Sequence, residues 1–253
     1  MTKPFLIIEP PSGSTPLHVD VLNDLGIALS RQDRPDQALI YFRAALRLKP
    51  NYPAALNNLA NILAAQNHWD EAVTHYRQAL RLKPDYINAR YNLGDALGKM
   101  GRSDEAIQQL TEVLRRKPDD ADAHNRLGEI LARQGKAKEA LQSYEAALRL
   151  QPDLPDALKN QAWILATCPD PQFRNGGEAL RLARRALELT SAANIHALDA
   201  LAAAYAETGQ FSPAVDSAEK ALALARASNQ AETAAQIQSR LEFYRAAKPF
   251  REP

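Results

Sequence analysis

Five histidines, His18, His68, His75, His124 and His196, and a single cysteine, Cys168, are the side chains of this sequence best suited to hold a metal or attack a carbonyl. Their spacing fits neither task. No two histidines stand four residues apart around a glutamate as an HExxH zinc helix requires, and one cysteine is too few for a thiolate zinc site. The chain has no GxSxG elbow to present a nucleophilic serine, and neither a P-loop nor a GxGxxG turn to cradle phosphates; Gly176 and Gly177 form a pair without either frame. No catalytic residue, metal or cofactor is expected, and the chain reads as non-enzymatic.

The asparagines carry a different chemistry. An amide offers two donors and two acceptor lone pairs, which matches the alternating N–H and C=O of an extended peptide. In a helix asparagine is less favourable than alanine by up to about 0.7 kcal/mol, because its amide competes for nearby backbone groups. Asn57, Asn58 and Asn61 in one short segment therefore call for compensation. Two sources are open: the main chain of a bound peptide, or the neighbouring part of the protein and water. For Asn23 and Asn88 water is expected.

The elements that would position these amides follow from a period. Proline recurs at 16, 50, 84, 118 and 152, always 34 residues apart. Ala38, Ala72, Ala106 and Ala140 keep one phase of the same ruler, and Ala45, Ala79 and Ala147 another, with Val113 as the exception. Helical hairpins explain both phases: small side chains let two helices approach to about 8–10 Å, and proline ends the second helix by removing a backbone donor. The repeats then run 19–52, 53–86, 87–120, 121–154, a longer fifth at 155–194, and a sixth at 195–228. Acidic residues such as Asp70 and Glu71 open the second helices and basic ones such as Arg81 and Lys83 close them, as the helix macrodipole favours.

"NLGDALGKMGRSDEAIQQLTEVLRRKP", with Leu93, Gly94, Leu97, Gly101, Ala106, Leu110, Val113 and Pro118, resembles the tetratricopeptide repeat. The resemblance covers about residues 19–228, and small residues recur at one second-helix phase from Ala38 to Ala179 and Ala214. It implies an all-α, right-handed superhelical solenoid of antiparallel hairpins, closed by a capping helix near 231–245 where Ala234, Ile237, Leu241 and Tyr244 make an apolar stripe. In this family positions 2, 5, 6, 9 and 13 of each repeat line an inner groove. The implied partner-binding residues are Asn57, Asn58, Asn61, Tyr91, Asn92, Asp95, Asn125, Arg126, Glu129, Asn160 and Trp163. The position-6 row of Asn58, Asn92 and Asn160, broken by Arg126, resembles the asparagine ladder in the repeat region of O-GlcNAc transferase. The closing "RLEFYRAAKPFREP" looks like the terminal segment of many bacterial repeat proteins. The lysines of the clamp that grips chaperone tails are missing, which disfavours that adaptor role.

Composition bounds the rest. With 45% hydrophobic but only 6% aromatic residues, the core is one of alanine and leucine between close helices. A net charge of +1 argues against a nucleic-acid or membrane-surface binder. No apolar run approaches a membrane span, and "FLII" is too short for a signal-peptide core, so a soluble cytoplasmic monomer, or a soluble domain of a larger membrane-associated protein, is expected. Residues 1–18, rich in proline, are expected to be an extended segment or linker. The insertion "TCPDPQFRNGG" in repeat five is expected to pack back on its hairpin, with Cys168 buried and Phe173 as its anchor. The expected function is a protein-protein interaction scaffold that takes a peptide or helix in its groove. The alternative is a substrate-recruiting region of a glycosyltransferase or other enzyme whose catalytic domain lies elsewhere.

Overall fold

The computed structural model describes residues 18–191 and 193–252. The expected extended segment before residue 18 lies outside them. The described residues hold no strand; they form helices α1 (Val19–Arg31), α2 (Pro35–Leu48), α3 (Pro53–Ala65), α4 (Trp69–Leu82), α5 (Ile87–Lys99), α6 (Ser103–Arg116), α7 (Ala121–Arg133), α8 (Ala137–Leu150), α9 (Pro155–Thr167), α10 (Gly176–Leu189), α11 (Ile195–Glu207), α12 (Phe211–Ala227) and α13 (Ala231–Arg245). This is a helix-turn-helix repeat solenoid with a terminal helix. The chain divides into two compact units, 1–92 and 93–253, with the division inside α5.

The starts and stops have local causes. Pro35, Pro53 and Pro155 occupy the first turn of their helices, where a missing N–H costs nothing. The helices α2, α4, α6 and α8 stop two residues before Pro50, Pro84, Pro118 and Pro152. Inside five hairpins the turn needs one residue with a left-handed backbone, and the sequence supplies Asp33, Asn67, Gly101, Gly135 and Gly209 there. That residue lets the chain satisfy the orphan carbonyls at the helix end, as in Arg34 N–H to Leu29 O at 3.0 Å and His68 N–H to Leu63 O at 2.8 Å.

The hairpin α9–α10 has no such residue and takes a longer path instead. The Arg174 guanidinium donates to the carbonyls of Cys168 and Pro169 at 2.9 and 2.8 Å, and Asn175 N–H returns to Leu165 O at 2.9 Å. Phe173 packs against the buried cluster that includes Cys168. The insertion thus folds onto its own hairpin.

The small residues at both phases, and Val113, have no exposed surface at all. A second pairing sets the distance within hairpins. A Cβ on Gly26 would lie 2.5 Å from the Phe42 ring, and one on Gly128 2.6 Å from the Tyr144 ring. A large ring on the second helix is thereby seated on bare backbone of the first. Enlarging the fully buried Ala72 to leucine is expected to overpack α3 against α4 and cost about 1–3 kcal/mol, read as a lower melting temperature; an unchanged melt would contradict the assigned close approach.

Candidate functional site: the amide face of the first helices

In α1, α3, α5, α7 and α9 the fifth, sixth and ninth residues lie on one side, because steps of three and four return to the same face. In the first compact unit, Asn58 Nδ2 donates to Asn23 Oδ1 at 3.0 Å, and Asn92 Nδ2 donates to Asn57 Oδ1 at 3.2 Å and Asn61 Oδ1 at 2.9 Å. Asn57 in turn donates to Asn58 Oδ1 at 3.4 Å, and the Tyr76 hydroxyl donates to Asn61 Oδ1 at 2.7 Å. In the second unit, Asn160 Nδ2 donates to Asn125 Oδ1 at 3.4 Å and Glu129 Oε1 at 3.0 Å. These asparagines follow one rule: position 6 of one repeat reaches back to position 5, position 9 or both of the repeat before it. Positions 5 and 9 sit one helical turn apart and make a two-pronged acceptor.

Repeat four runs the same junction on charge. Arg126 holds Asp95 at 2.9 Å from Nε to Oδ1 and also pairs with Glu129, and Lys99 reaches Asp95 at 3.3 Å. Arg133 adds a bond from its guanidinium to Gly98 O at 3.1 Å. Tyr91 is partly buried and Asn88 exposed. Asn23, expected to be solvated, is only 5% exposed and accepts from Asn58, because the junction closes over position 5.

Of the two sources open for the position-6 amides, the neighbouring repeat is engaged in every case. The engagement still leaves them chemistry. With both Nδ2 protons of Asn92 and of Asn160 committed, each Oδ1 remains an acceptor without a hydrogen-bond partner among the described residues. The bonds also change the expected stability effect. Replacing Asn58 and Asn92 together by alanine removes amide bonds worth about 0.5–1.5 kcal/mol each against a helix-propensity gain of up to about 0.7 per site. A net loss of about 1–2 kcal/mol is expected, measured as a shift of the urea midpoint, where a purely solvated row would give none.

Around Trp163 the face changes character. Asp199, at position 5 of repeat six, is buried and held by Arg240 of α13 through two bonds, Nε to Oδ1 at 3.2 Å and an NH to Oδ2 at 2.6 Å. Burial pushes the Asp199 carboxyl above its ordinary value, and the Arg240 charge opposes that. The Arg240 guanidinium lies 5.1 Å from the Trp163 ring centre and 5.8 Å from that of Phe250. Beside it opens a cleft of about 330 Å³ lined by Lys159, Asn160, His196, Thr233 and Gln236, among others. Asp199 was not singled out from the sequence, and the closing segment, Arg240 included, was noted for its likeness to terminal segments but not as part of a site. For Asp199 a signal existed, since it occupies the position where Asn23, Asn57 and Asn125 stand; for the contacts of the closing segment none did.

Among the described residues no group of three or more His, Cys, Asp or Glu could hold a metal ion, and no helix is long and apolar enough to cross a membrane.

Tetratricopeptide-repeat family models match residues 29–75, 91–155 and 195–232, and a TPR-repeat model matches residues 60–101. Among solved structures, Pseudomonas aeruginosa pilF is similar with a TM-score of 0.71 and 21% identity, over 87% of this chain and 96% of that one. A tetratricopeptide repeat protein from Parabacteroides merdae gives 0.66 at 18% identity, over 88% and 92%. YrrB, a TPR protein with an unusual peptide-binding site, gives 0.57 at 24% identity, over 70% and 89%. These likenesses are of fold. No curated protein matches the chain.

Proposed function

We propose that this chain, a tetratricopeptide-repeat protein, is a non-enzymatic scaffold that binds an extended peptide or a helix of a partner protein on the face of its first helices. The observation that supports this most is the state of the amides. Asn92 and Asn160 are each fixed by two acceptors of the preceding repeat, so each Oδ1 is a pre-oriented acceptor for a peptide N–H and loses little freedom on binding. The peptide-binding site named for YrrB, a protein of like fold, agrees with this reading. So does the likeness of the asparagine row to the ladder of O-GlcNAc transferase. Repeats 19–52, 53–86, 87–120, 121–154, 155–194 and 195–228 are the working array in this reading, with 229–253 closing it. The lone Cys168, buried and free, suits the reducing cytoplasm in which we place the protein.

Selection of peptides from a display library, followed by titration against variants, tests the proposal. Asn160→Leu keeps side-chain size and removes the carbonyl. It is expected to weaken selected peptides about five- to tenfold, the worth of one hydrogen bond. Selected peptides that bind every first-helix variant as tightly as wild type would move the contact surface elsewhere.

A further inference from the structure

Residues 248–252 lie outside any regular element and run back over α9. Helix α13 ends with Ala247 in a left-handed backbone, φ 50°, and Lys248 N–H bonds to Phe243 O at 2.9 Å, a turn that reverses the chain. Beyond this turn the chain is bound by contacts of several different kinds. The Phe250 ring sits among Trp163, at 6.2 Å between centres, Phe243, at 5.7 Å edge-on, and the Arg240 guanidinium. Arg251 pairs with Glu207 at 2.6 Å and donates to Ala166 O at 3.1 Å. Glu252 N–H donates to Thr167 O at 3.0 Å, and its carboxylate accepts from the Trp163 indole at 2.6 Å.

Elsewhere the side-chain bonds of loops and helix ends span about one repeat, as from Arg174 to Glu207 and from Gln134 to Asp104. Here three successive residues are read by side chains well beyond one repeat away, Phe250 and Glu252 by Trp163 and Arg251 by Glu207, and the end of α9 contributes main-chain carbonyls. An aromatic cage, a carboxylate for an arginine, an indole donor for an acid and main-chain carbonyls at the end of α9 together make a peptide subsite. Trp163 and Asn160 also line the cleft beside Arg240, so the subsite adjoins the amide face.

Resting on the peptide-binding function proposed for the amide face, we infer that the end of the first-helix face around Trp163 is a subsite for an extended segment of the order aromatic–arginine–acidic, and that Phe250, Arg251 and Glu252 occupy it as a tethered competitor. A partner segment of that order displaces the closing segment, and its apparent affinity is lowered by the tether. A short flexible link gives an effective concentration of about millimolar, and the bonded turn before Phe250 holds the resident segment at least that closely.

The test uses the whole chain and a fluorescently labelled peptide of residues 246–253 with blocked ends. The variant Phe250→Ala/Arg251→Ala frees the subsite. It is expected to bind the peptide at least tenfold more tightly than wild type, with a change in tryptophan emission. A peptide with alanine in place of its phenylalanine should not bind, nor should the intact peptide bind the freed variant carrying Trp163→Leu, its fold checked by circular dichroism. Equal binding to wild type and freed variant overturns the inference, as does absence of binding to a freed variant that retains its helices. Library peptides selected on the freed variant separate the two readings. If they bind the first-helix face without the aromatic–arginine–acidic order, the subsite assignment fails and the scaffold function stands. If no peptide binds at all, both fall.

Discussion

Replacing Arg240 by alanine is expected to lower the unfolding free energy by about 3–5 kcal/mol, because it strands the buried Asp199 carboxylate without the cation that holds it. Both groups are buried, at 9% and 6% exposure, and their two bonds join α13 to α11. The loss should depend on pH. Burial already raises the Asp199 pKa in the folded protein, and removing the guanidinium raises it further. A carboxyl whose folded pKa exceeds its unfolded one takes up a proton in favour of the folded state, so it disfavours folding increasingly as pH rises through the folded value. The deficit of Arg240→Ala should therefore be largest near neutral pH and shrink on acidification, measured by thermal unfolding of variant and wild type in parallel. A deficit independent of pH would assign the loss to the stacking of the guanidinium on Trp163 and Phe250 instead. Asp199→Leu with Arg240→Met should recover most of the stability, since an apolar pair needs no compensation.

The second large effect belongs to Tyr144. It is buried in α8 with its ring against the backbone at Gly128 in α7, and truncation to alanine should cost about 3–5 kcal/mol by opening a cavity that the helices cannot close. Gly128→Ala attacks the same contact from the other side. Its Cβ would meet ring atoms at 2.6 and 2.8 Å, so the buried ring must shift to admit it, and about 1–3 kcal/mol is expected. The two changes should not add. In the double variant the new methyl enters the space the ring has left, and a coupling of about 1–2 kcal/mol in a double-mutant cycle would register it. Simple additivity would show that glycine and ring do not share one space.

What was legible in the sequence was whatever repeats. The buried alanines from Ala38 to Ala214 could be read because a close helix approach admits one side-chain size, and that demand recurs with the period. The amide face could be located for the same reason, but the partners of its amides could not. Asn58 finding Asn23, and Asn160 finding Asn125 and Glu129, depends on a lateral offset between hairpins that a pattern within one repeat does not contain. The pairing of Asp95 with Arg126 was the available clue, since a cation replaces an amide at the point where an acid replaces its acceptor. Arg240 with Asp199, and the closing segment on Trp163, belong to the end of the array, where nothing repeats.

The backward reach of position 6 bears on how such an array is copied and rearranged. Duplicating the hairpin 53–86 in tandem would set the copy's Asn58 before Asn57 and Asn61, a matching joint, whereas duplicating 155–194 would set Asn160 before Lys159 and Trp163, which offer no acceptor. Deleting a hairpin, or exchanging it for another, sets its donor before a stranger. Asp95 with Arg126, and Glu129 with Asn160, are joints of distinct composition, so moving the hairpin 121–154 elsewhere would confront its arginine with amides and leave its acids without their donors. The heritable module is the seam between two hairpins, and substitutions on either side of a seam are expected to settle in pairs.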